Sequence, residues 1–365
     1  MPPRVLMTGN DAVGEAALQA GCDCYYGYPI TPQNELTAFM AHHMPPRGRV
    51  FIQAESEIAA INMVFGSAAA GKRAMTSSSS PGISLKQEGI SYLAAAELPA
   101  VIVNVQRGGP GLGNIAPSQA DYFQATKGGG HGDYHLIVLA PDSVQETYDL
   151  TLLAFDLADK YRIPVMLLTD ARLGQMMEPV TLREKSAPTS FPKPWALTGA
   201  TGRKPNIIRS LFLEEGELEK LNVRLQAKYG QIKAREVRWE ERSTEDCELL
   251  IVAYGTCARI AKAVIAGNRK KKIGLLRPIT LWPFPYERLG RIARQTRGVL
   301  VVEMSSGQML EDVRLAVGDS VPVAFEGRMG GGVPTESAVQ QAIAKMLDHR
   351  GLRQPVQAVE KKMYA

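Results

Sequence analysis

The sequence predicts an α/β protein built from two doubly wound parallel-sheet domains. Three observations predict it. Short apolar runs bounded by glycine and proline alternate with stretches of helical periodicity along most of the chain. Several of those runs, Ala100–Val105 and Leu136–Ala140 among them, are apolar at nearly every position, as strands buried on both faces are. A polar, proline-punctuated and then highly charged stretch from 179 to 244 interrupts the alternation, which resumes at Glu248. The predicted boundaries are a first α/β domain over 1–180, a linker with a charged helix over 181–244, and a second α/β domain over 245–365. A chain of 365 residues fits two domains better than one.

Within the first domain, residues 3–9 read as a strand, and Asn10 or Asp11 caps a helix that Gly21 stops. CDCYYGY is the next strand and its turn. Gly27, Pro29 and Pro32 break both periodicities, so Tyr28 to Pro32 is a rigid turn, followed by a short helical segment. Val50–Ile52 is a strand leading to a helix capped by Ser56, with Glu57 in its first turn and Ile58, Ile61, Val64, Phe65 and Ala68 as its buried stripe. Arg73 to Ser77 is a strand, Ser77 to Gly82 a loop, Leu85 to Ala96 a helix, and Pro99 to Val105 a buried strand. Leu136–Ala140, a helix from Asp142 to about Tyr161, and the strand Pro164–Thr169 complete the domain. In such sheets ligands sit beyond the carboxyl ends of the strands. Thr31, Ser77 to Ser80 and Arg107 all follow a strand end, so one rim is expected to carry them.

In the linker, Glu214 to Arg242 reads as a charged helix with a thin apolar stripe of Leu218, Leu221, Leu225, Tyr229 and Ile232, suited to packing against another chain. In the second domain the strands are Leu249–Ala253, Ile273–Leu276, Gly298–Glu303 and Val321–Phe325. The helices are Ala258–Ala266, Met309–Val317 and Glu336–Leu347.

Composition excludes several classes. Apolar content of 45% and charged content of 22% are those of an ordinary globular protein. No apolar run reaches the roughly 20 residues of a membrane span, and Asn10, Asp11 and Glu15 interrupt any secretory core, so a cytoplasmic protein is expected. A net charge of +5 is too mild to indicate nucleic acid, and the one basic cluster, Asn268 to Lys272, reads as a solvated loop. The four cysteines, Cys22, Cys24, Cys247 and Cys257, lack ferredoxin-type spacing and read as small buried side chains, so the chain is expected to hold no iron–sulfur cluster by itself.

Two glycine motifs need separate treatment. Gly66 to Lys72 fits GxxxxGK, but Arg73 follows where a magnesium-binding Ser or Thr belongs, and the stretch ends a helix instead of preceding one. A P-loop nucleotide hydrolase is therefore a poor alternative. Gly108 to Gly113 could cradle a ligand or form a tight turn. Arg107, ending a buried strand before two glycines, could fork onto a carboxylate or make a structural salt bridge. Glu57 by itself needs no function, since the helix dipole favours an acid in a first turn.

GYPITP, then QAESEIAA, TSSSSPGISLKQEGISYLAAAELP and NVQRGGPGLGN, in that order, resemble the alpha subunit of the 2-oxoacid:ferredoxin oxidoreductases, thiamine diphosphate enzymes related to pyruvate:ferredoxin oxidoreductase. The resemblance covers nearly the whole chain. Pro117 to Tyr134 resembles most the branched-chain, 3-methyl-2-oxobutanoate type, with the 2-oxoglutarate type as the alternative. The resemblance makes the first domain a thiamine-diphosphate pyrimidine-binding domain, and the second, with RPITLWPFP (277–285), similar to the carboxy-terminal domain of transketolases. It implies that Glu57 hydrogen-bonds the aminopyrimidine ring, with Tyr28, Pro29 and Ile30 also at the cofactor. Thr31 then contacts the substrate's oxo-acid end, and Arg107 pairs with its carboxylate. Thiamine enzymes hold diphosphate and magnesium through a GDG motif. None occurs here; Gly132-Asp133-Tyr134 and Gly318-Asp319-Ser320 lack the second glycine. The implied assembly therefore has a beta subunit carrying the diphosphate, Mg2+ and [4Fe-4S] clusters, together with a gamma subunit and a ferredoxin-like delta subunit. Its expected reaction converts a 2-oxoacid and coenzyme A to acyl-CoA and CO2 while reducing ferredoxin. A non-catalytic scaffold is the other class left open.

Overall fold

The computed structural model describes residues 4–184, 187–268 and 272–348. Its elements in chain order are β1 (Arg4–Thr8), α1 (Gly9–Gln19), β2 (Cys24–Gly27), α2 (Asn34–His43), β3 (Val50–Gln53), α3 (Glu57–Ala69), β4 (Ala74–Ser78), α4 (Ser80–Ala95), β5 (Ala100–Gln106), α5 (Tyr122–Thr126), β6 (Ile137–Leu139), α6 (Val144–Tyr161), β7 (Pro164–Asp170), α7 (Ala171–Gln175) and β8 (Met177–Thr181). Then follow α8 (Glu217–Arg235), β9 (Trp239–Arg242), β10 (Leu249–Ala253), α9 (Gly255–Gly267), β11 (Ile273–Pro278), β12 (Thr280–Trp282), α10 (Tyr286–Ala293), β13 (Gly298–Glu303), α11 (Gln308–Val317), β14 (Val323–Gly327) and α12 (Glu336–Asp348).

Two mainly parallel sheets carry the fold, as the alternating pattern requires. The larger runs β12-β6-β7-β5-β4-β2-β3 and the smaller β14-β13-β10-β11-β9. In the larger sheet the chain passes from β2 outward to β3, then returns across β2 to β4, so the direction of winding reverses between β2 and β4. The crevice at such a reversal is where doubly wound sheets bind ligands. Strand β5 is wholly buried and pairs with β4 on one side and β7 on the other, which explains its unbroken apolar run.

The structure corrects four sequence expectations. β1 lies outside the larger sheet, paired antiparallel with β8. Ser77 and Ser78 belong to β4, and α4 starts at Ser80 with Pro81 in its first turn, where a missing N–H costs nothing, so the expected loop shrinks to the single cap Ser79. The charged helix α8 does not turn its stripe to another chain: Leu221, Leu225, Tyr229 and Ile232 are buried in the main core of this one, and only Leu218 stays exposed. That helix also ends at Arg235; Trp239–Arg242 forms β9, an antiparallel edge strand of the smaller sheet. Conversely, β12 from the RPITLWPFP stretch crosses to the larger sheet and pairs antiparallel with β6. β12 thus joins the larger sheet although the strands before and after it, β11 and β13, belong to the smaller one. Of the expected basic cluster, Arg269 to Lys271 lie outside the described residues.

A buried ionic cluster fastens the two sheets. Arg277 of β11 forks onto both carboxylate oxygens of Glu146 of α6 at 2.7 Å and reaches Glu240 of β9 at 2.8 Å. Lys262 of α9 pairs with Asp142 and Glu240. All four cysteines are buried and unpaired. No helix among the described residues is long and apolar enough to cross a membrane.

Candidate active site

The rim at the β2/β4 reversal gathers the predicted residues. Beyond β2, the turn Tyr28–Pro32 is fixed from beneath by Gln33, which is fully buried. Its amide donates to the Tyr28 carbonyl, and its side-chain oxygen accepts from the Ser77 and Thr37 hydroxyls. Tyr25 of β2 closes the network through the same two hydroxyls, at 2.6 Å from Ser77 and 3.0 Å from Thr37. This polar layer is satisfied internally, so the turn is rigid for the reason its prolines suggest and for one they do not. Tyr28 and Pro29 stand exposed on the turn, while Ile30 and Thr31 are half-buried. The Thr31 hydroxyl accepts from the Asn34 amide at 3.2 Å, leaving its own proton for a ligand.

Arg107 follows β5 and is only 7% exposed. Its guanidinium donates to the Thr31 carbonyl and to the Leu112 carbonyl, each at 2.9 Å. Both acceptors are neutral, its Nε has no partner, and it makes no ion pair among the described residues. The salt bridge left open by the sequence is therefore not what holds it. Its backbone N–H donates to the Ser80 hydroxyl at 3.0 Å, and that hydroxyl bonds the Asp121 carboxylate at 2.6 Å. Burial pushes the Asp121 carboxyl above its usual range. The Gly108–Gly113 loop proves to be a tight turn: Gly111 and Gly113 have positive φ, and a Cβ on Gly113 would meet the Gly108 carbonyl oxygen at 1.7 Å. Its use to the site is the Leu112 carbonyl it aims at Arg107.

Glu57 opens α3, capped as expected by Ser56, whose hydroxyl accepts from the Ala59 N–H. The stripe of α3 is turned by about one position from the expected one. Ile58 is exposed and Glu57 itself is buried, 6% exposed, with Ala60, Ile61, Val64 and Ala68. Its carboxylate takes no hydrogen bond from protein and forms no ion pair among the described residues. A buried carboxylate without a partner is costly, and a donor from outside the chain would relieve that cost. It faces the first turn of α4, where a Cβ on Gly82 would come within 2.6 Å of Glu57 Oε1 and 2.1 Å of Ser78 Oγ. The buried hydroxyls of Ser78 and Ser79 also lack partners. The first turn of α4 thus stands between the acid and Arg107, touching one through Gly82 and the other through Ser80. Around this rim the large apolar side chains Tyr28, Ile58, Leu112 and Ile115 are exposed.

Gln33, Tyr25 and Gly82 escaped the sequence reading. Gln33 and Tyr25 give no periodic signal, since their partners lie 44 and 52 residues away. Gly82 is obscured by the serine run that reads as a loop, which also hides that Ser80, expected on the rim, opens a helix.

The P-loop-like stretch closes α3, and Arg73 after it is a buried structural cation, bonded to Asp159 at 2.8 Å and Asp156 at 3.1 Å. The reversal point of the smaller sheet is filled by the chain itself. Gln119 donates to the Tyr254 carbonyl and accepts from the Met304 N–H, each at 2.9 Å, bridging the ends of β10 and β13.

The chain thus joins a doubly wound α/β unit with an unpartnered buried acid at its winding reversal to a second such unit whose crevice is plugged. Residues 15–241 match the family described as pyruvate flavodoxin/ferredoxin oxidoreductase, thiamine diP-binding, and residues 247–339 match pyruvate:ferredoxin oxidoreductase core domain II. The chain belongs to this family and is a subunit of a multi-subunit 2-oxoacid oxidoreductase. It is 55% identical over 328 residues to the ketoisovalerate oxidoreductase subunit VorB of Methanothermobacter marburgensis, covering 89% of this chain and 93% of that one. It is 36% identical to the 2-oxoglutarate synthase subunit KorA of the same organism, over 95% of this chain and 100% of the other. Among solved structures, the 2-oxoglutarate:ferredoxin oxidoreductase of Magnetococcus marinus superposes with a TM-score of 0.86 at 26% identity, over 94% of this chain and 65% of that chain. A split-gene transketolase β4 tetramer, at a TM-score of 0.58 and 16% identity, shares the fold.

Proposed function

We propose that this chain is the alpha subunit of a cytoplasmic 2-oxoacid:ferredoxin oxidoreductase acting on a branched-chain substrate, 3-methyl-2-oxobutanoate, with coenzyme A. The unpartnered carboxylate of Glu57 carries this reading. It is buried, it lies at the winding reversal, and it faces a helix turn kept free of side chain by Gly82. Those features fit an aminopyrimidine ring, whose nitrogens can share a proton with a carboxylate. Thiamine diphosphate, when bound, supplies the nucleophilic carbon and takes up the electrons released on decarboxylation. The chain's own part is to hold a proton at Glu57, to present the Thr31 hydroxyl to the oxo-acid end, and to fork Arg107 onto the carboxylate. Tyr28, Pro29 and Ile30 wall the pyrimidine side.

The rest of the pocket belongs to partners. No GDG motif is present to grip a diphosphate, so a beta subunit carries diphosphate, Mg2+ and [4Fe-4S] clusters, and gamma and ferredoxin-like delta subunits complete the assembly. The exposed ring of Tyr28, Ile58, Leu112 and Ile115 suits a subunit interface. The higher identity to the ketoisovalerate enzyme's subunit than to the 2-oxoglutarate synthase subunit supports the branched substrate. The test is co-purification from the native host, followed by rates with several 2-oxoacids and by Glu57→Gln in the reconstituted complex. The reading expects the branched-chain acid to give the highest kcat/KM and the variant to lose about 100-fold or more in kcat, the scale of lost acid–base catalysis. Full activity of the variant defeats it.

A further inference from the structure

Beneath Glu57 lies a lysine that no step above uses. Lys86 is in the middle of α4, and its side chain is 0% exposed. It occupies the apolar face of that helix, with Ile83 and Ile90, where a leucine would ordinarily sit. Its ammonium makes one hydrogen bond, to the Thr76 hydroxyl at 3.1 Å, and that hydroxyl passes its own proton to the Tyr26 carbonyl at 2.6 Å. It forms no direct ion pair among the described residues. A buried ammonium with a single neutral acceptor is expensive to keep.

Helix packing shows what the charge is for. α4 lies along α3 through two glycines: Gly82 abuts Glu57, and Gly89 abuts Ile61, where a Cβ would meet the side chain at 2.5 Å. Lys86 is one turn from each glycine, so it sits between these two contacts at the level just below the acid. Of the elements packed on it, β4 presents Thr76 and β2 the Tyr26 carbonyl, both uncharged. α3 presents Glu57, whose charge acts on the lysine. Asp121 and Arg107 lie at the N-terminal end of the helix, beyond Ser80, across its first turn from Glu57.

We propose that Lys86 is a positioning residue for Glu57, the buried countercharge that balances the carboxylate once its proton has passed to an aminopyrimidine nitrogen. The proposal rests on the reading of Glu57 given above. The two charges act through space, not through a bond, so Glu57 keeps its oxygens free for the ring. Burial holds the lysine well below its ordinary value, down to about 8, with Glu57 pulling the other way. Binding of thiamine diphosphate therefore draws on the protonated lysine, and affinity falls as pH rises through about 8.

The test is equilibrium binding of thiamine diphosphate to the reconstituted complex between pH 6 and 9.5, for wild type, Lys86→Met, Lys86→Arg and Glu57→Gln. Wild type is expected to lose affinity above about pH 8. Lys86→Met, which preserves the shape of the side chain, should bind about tenfold more weakly at pH 7 and show no alkaline fall. Lys86→Arg, charged throughout, should restore neutral affinity and keep it at pH 9. A flat wild-type profile overturns the proposal without need of any variant, and so does a Lys86→Met profile that matches wild type. If Glu57→Gln also binds and turns over as wild type does, the underlying reading of Glu57 fails. If only Glu57→Gln is impaired, that reading stands and the role of Lys86 falls.

Discussion

Arg107 and Thr31 are joined by one 2.9 Å hydrogen bond, from the guanidinium to the backbone carbonyl. The bond orients the fork without neutralising it. Thr31 supplies a carbonyl to hold the arginine and keeps a hydroxyl proton free, so the two proposed substrate contacts are placed by each other. Replacing Arg107 by Lys keeps the charge but cannot hold two carbonyls and still present a planar pair of donors. The expected outcome is a rise in KM for the 2-oxoacid of about 5- to 150-fold, equivalent to about 1 to 3 kcal/mol for a hydrogen bond to a charged group, with thiamine diphosphate affinity unchanged. Steady-state kinetics and cofactor titration of the reconstituted complex check it.

Gly82 gives a steric prediction. An alanine there would bring its Cβ against Ser78 Oγ and Glu57 Oε1 at 2.1 and 2.6 Å. Gly82→Ala should lower stability by about 1 to 3 kcal/mol, the usual cost of overpacking, and weaken thiamine diphosphate binding by displacing the acid. Gly48→Ala, at a glycine with open space beside it but positive φ, is the control: it costs stability through backbone strain and leaves binding intact.

How much of this was legible in the sequence follows the range of the interactions. The parallel sheets, the Ser56 cap and the shared rim of Thr31, Ser80 and Arg107 all derive from local periodicity and from where strands end. β9 and β12 were missed as strands because each is three or four residues long and pairs antiparallel with a strand far away or in the other sheet. α8 was read as a connector because its sequence is charged on most faces; four buried side chains were enough to seat it in the core. Lys86 was readable in principle, as a cation at the centre of the Ile83–Ile90 stripe, but only the fold places Glu57 above it.

Lys86 also leaves a signature on stability. Its ammonium is favoured in the unfolded chain up to about 10.5 and in the folded one only to about 8. Between those values the unfolded state binds more protons, so this group makes the protein more stable as pH rises. The gap corresponds to about 3 kcal/mol. Thermal midpoints of the reconstituted complex, compared between wild type and Lys86→Met from pH 7 to 10, should converge with rising pH. A constant difference between the two would mean that the lysine does not titrate in this range.

The Arg277 cluster sets the opposite limb. Burial opposes ionisation of Glu240, but the bonds from Lys262 and Arg242 and the charge of Arg277 outweigh it and hold the carboxyl at about 2 instead of its ordinary 4.5. Glu241, bonded by Arg288, is likewise held at about 2. A depressed carboxylate contributes stability that is fully present above about 4.5 and is lost as pH falls toward 2. Glu240 and its cations all lie with the smaller sheet, so this loss loosens the cluster that presents Arg277 to Glu146 and Lys262 to Asp142 on the larger one. Arg277→Met should remove the bidentate clasp and leave Glu146 without its cation, at a cost of about 3 to 5 kcal/mol. It should also flatten the acid limb between pH 4.5 and 3, since Glu240 then loses less cation attraction when it is protonated. Acid denaturation of wild type and variant, followed by the fluorescence of Trp239 and Trp282 at the junction, reads both effects; an unchanged acid midpoint and slope in the variant would show that the two sheets are held together by packing alone.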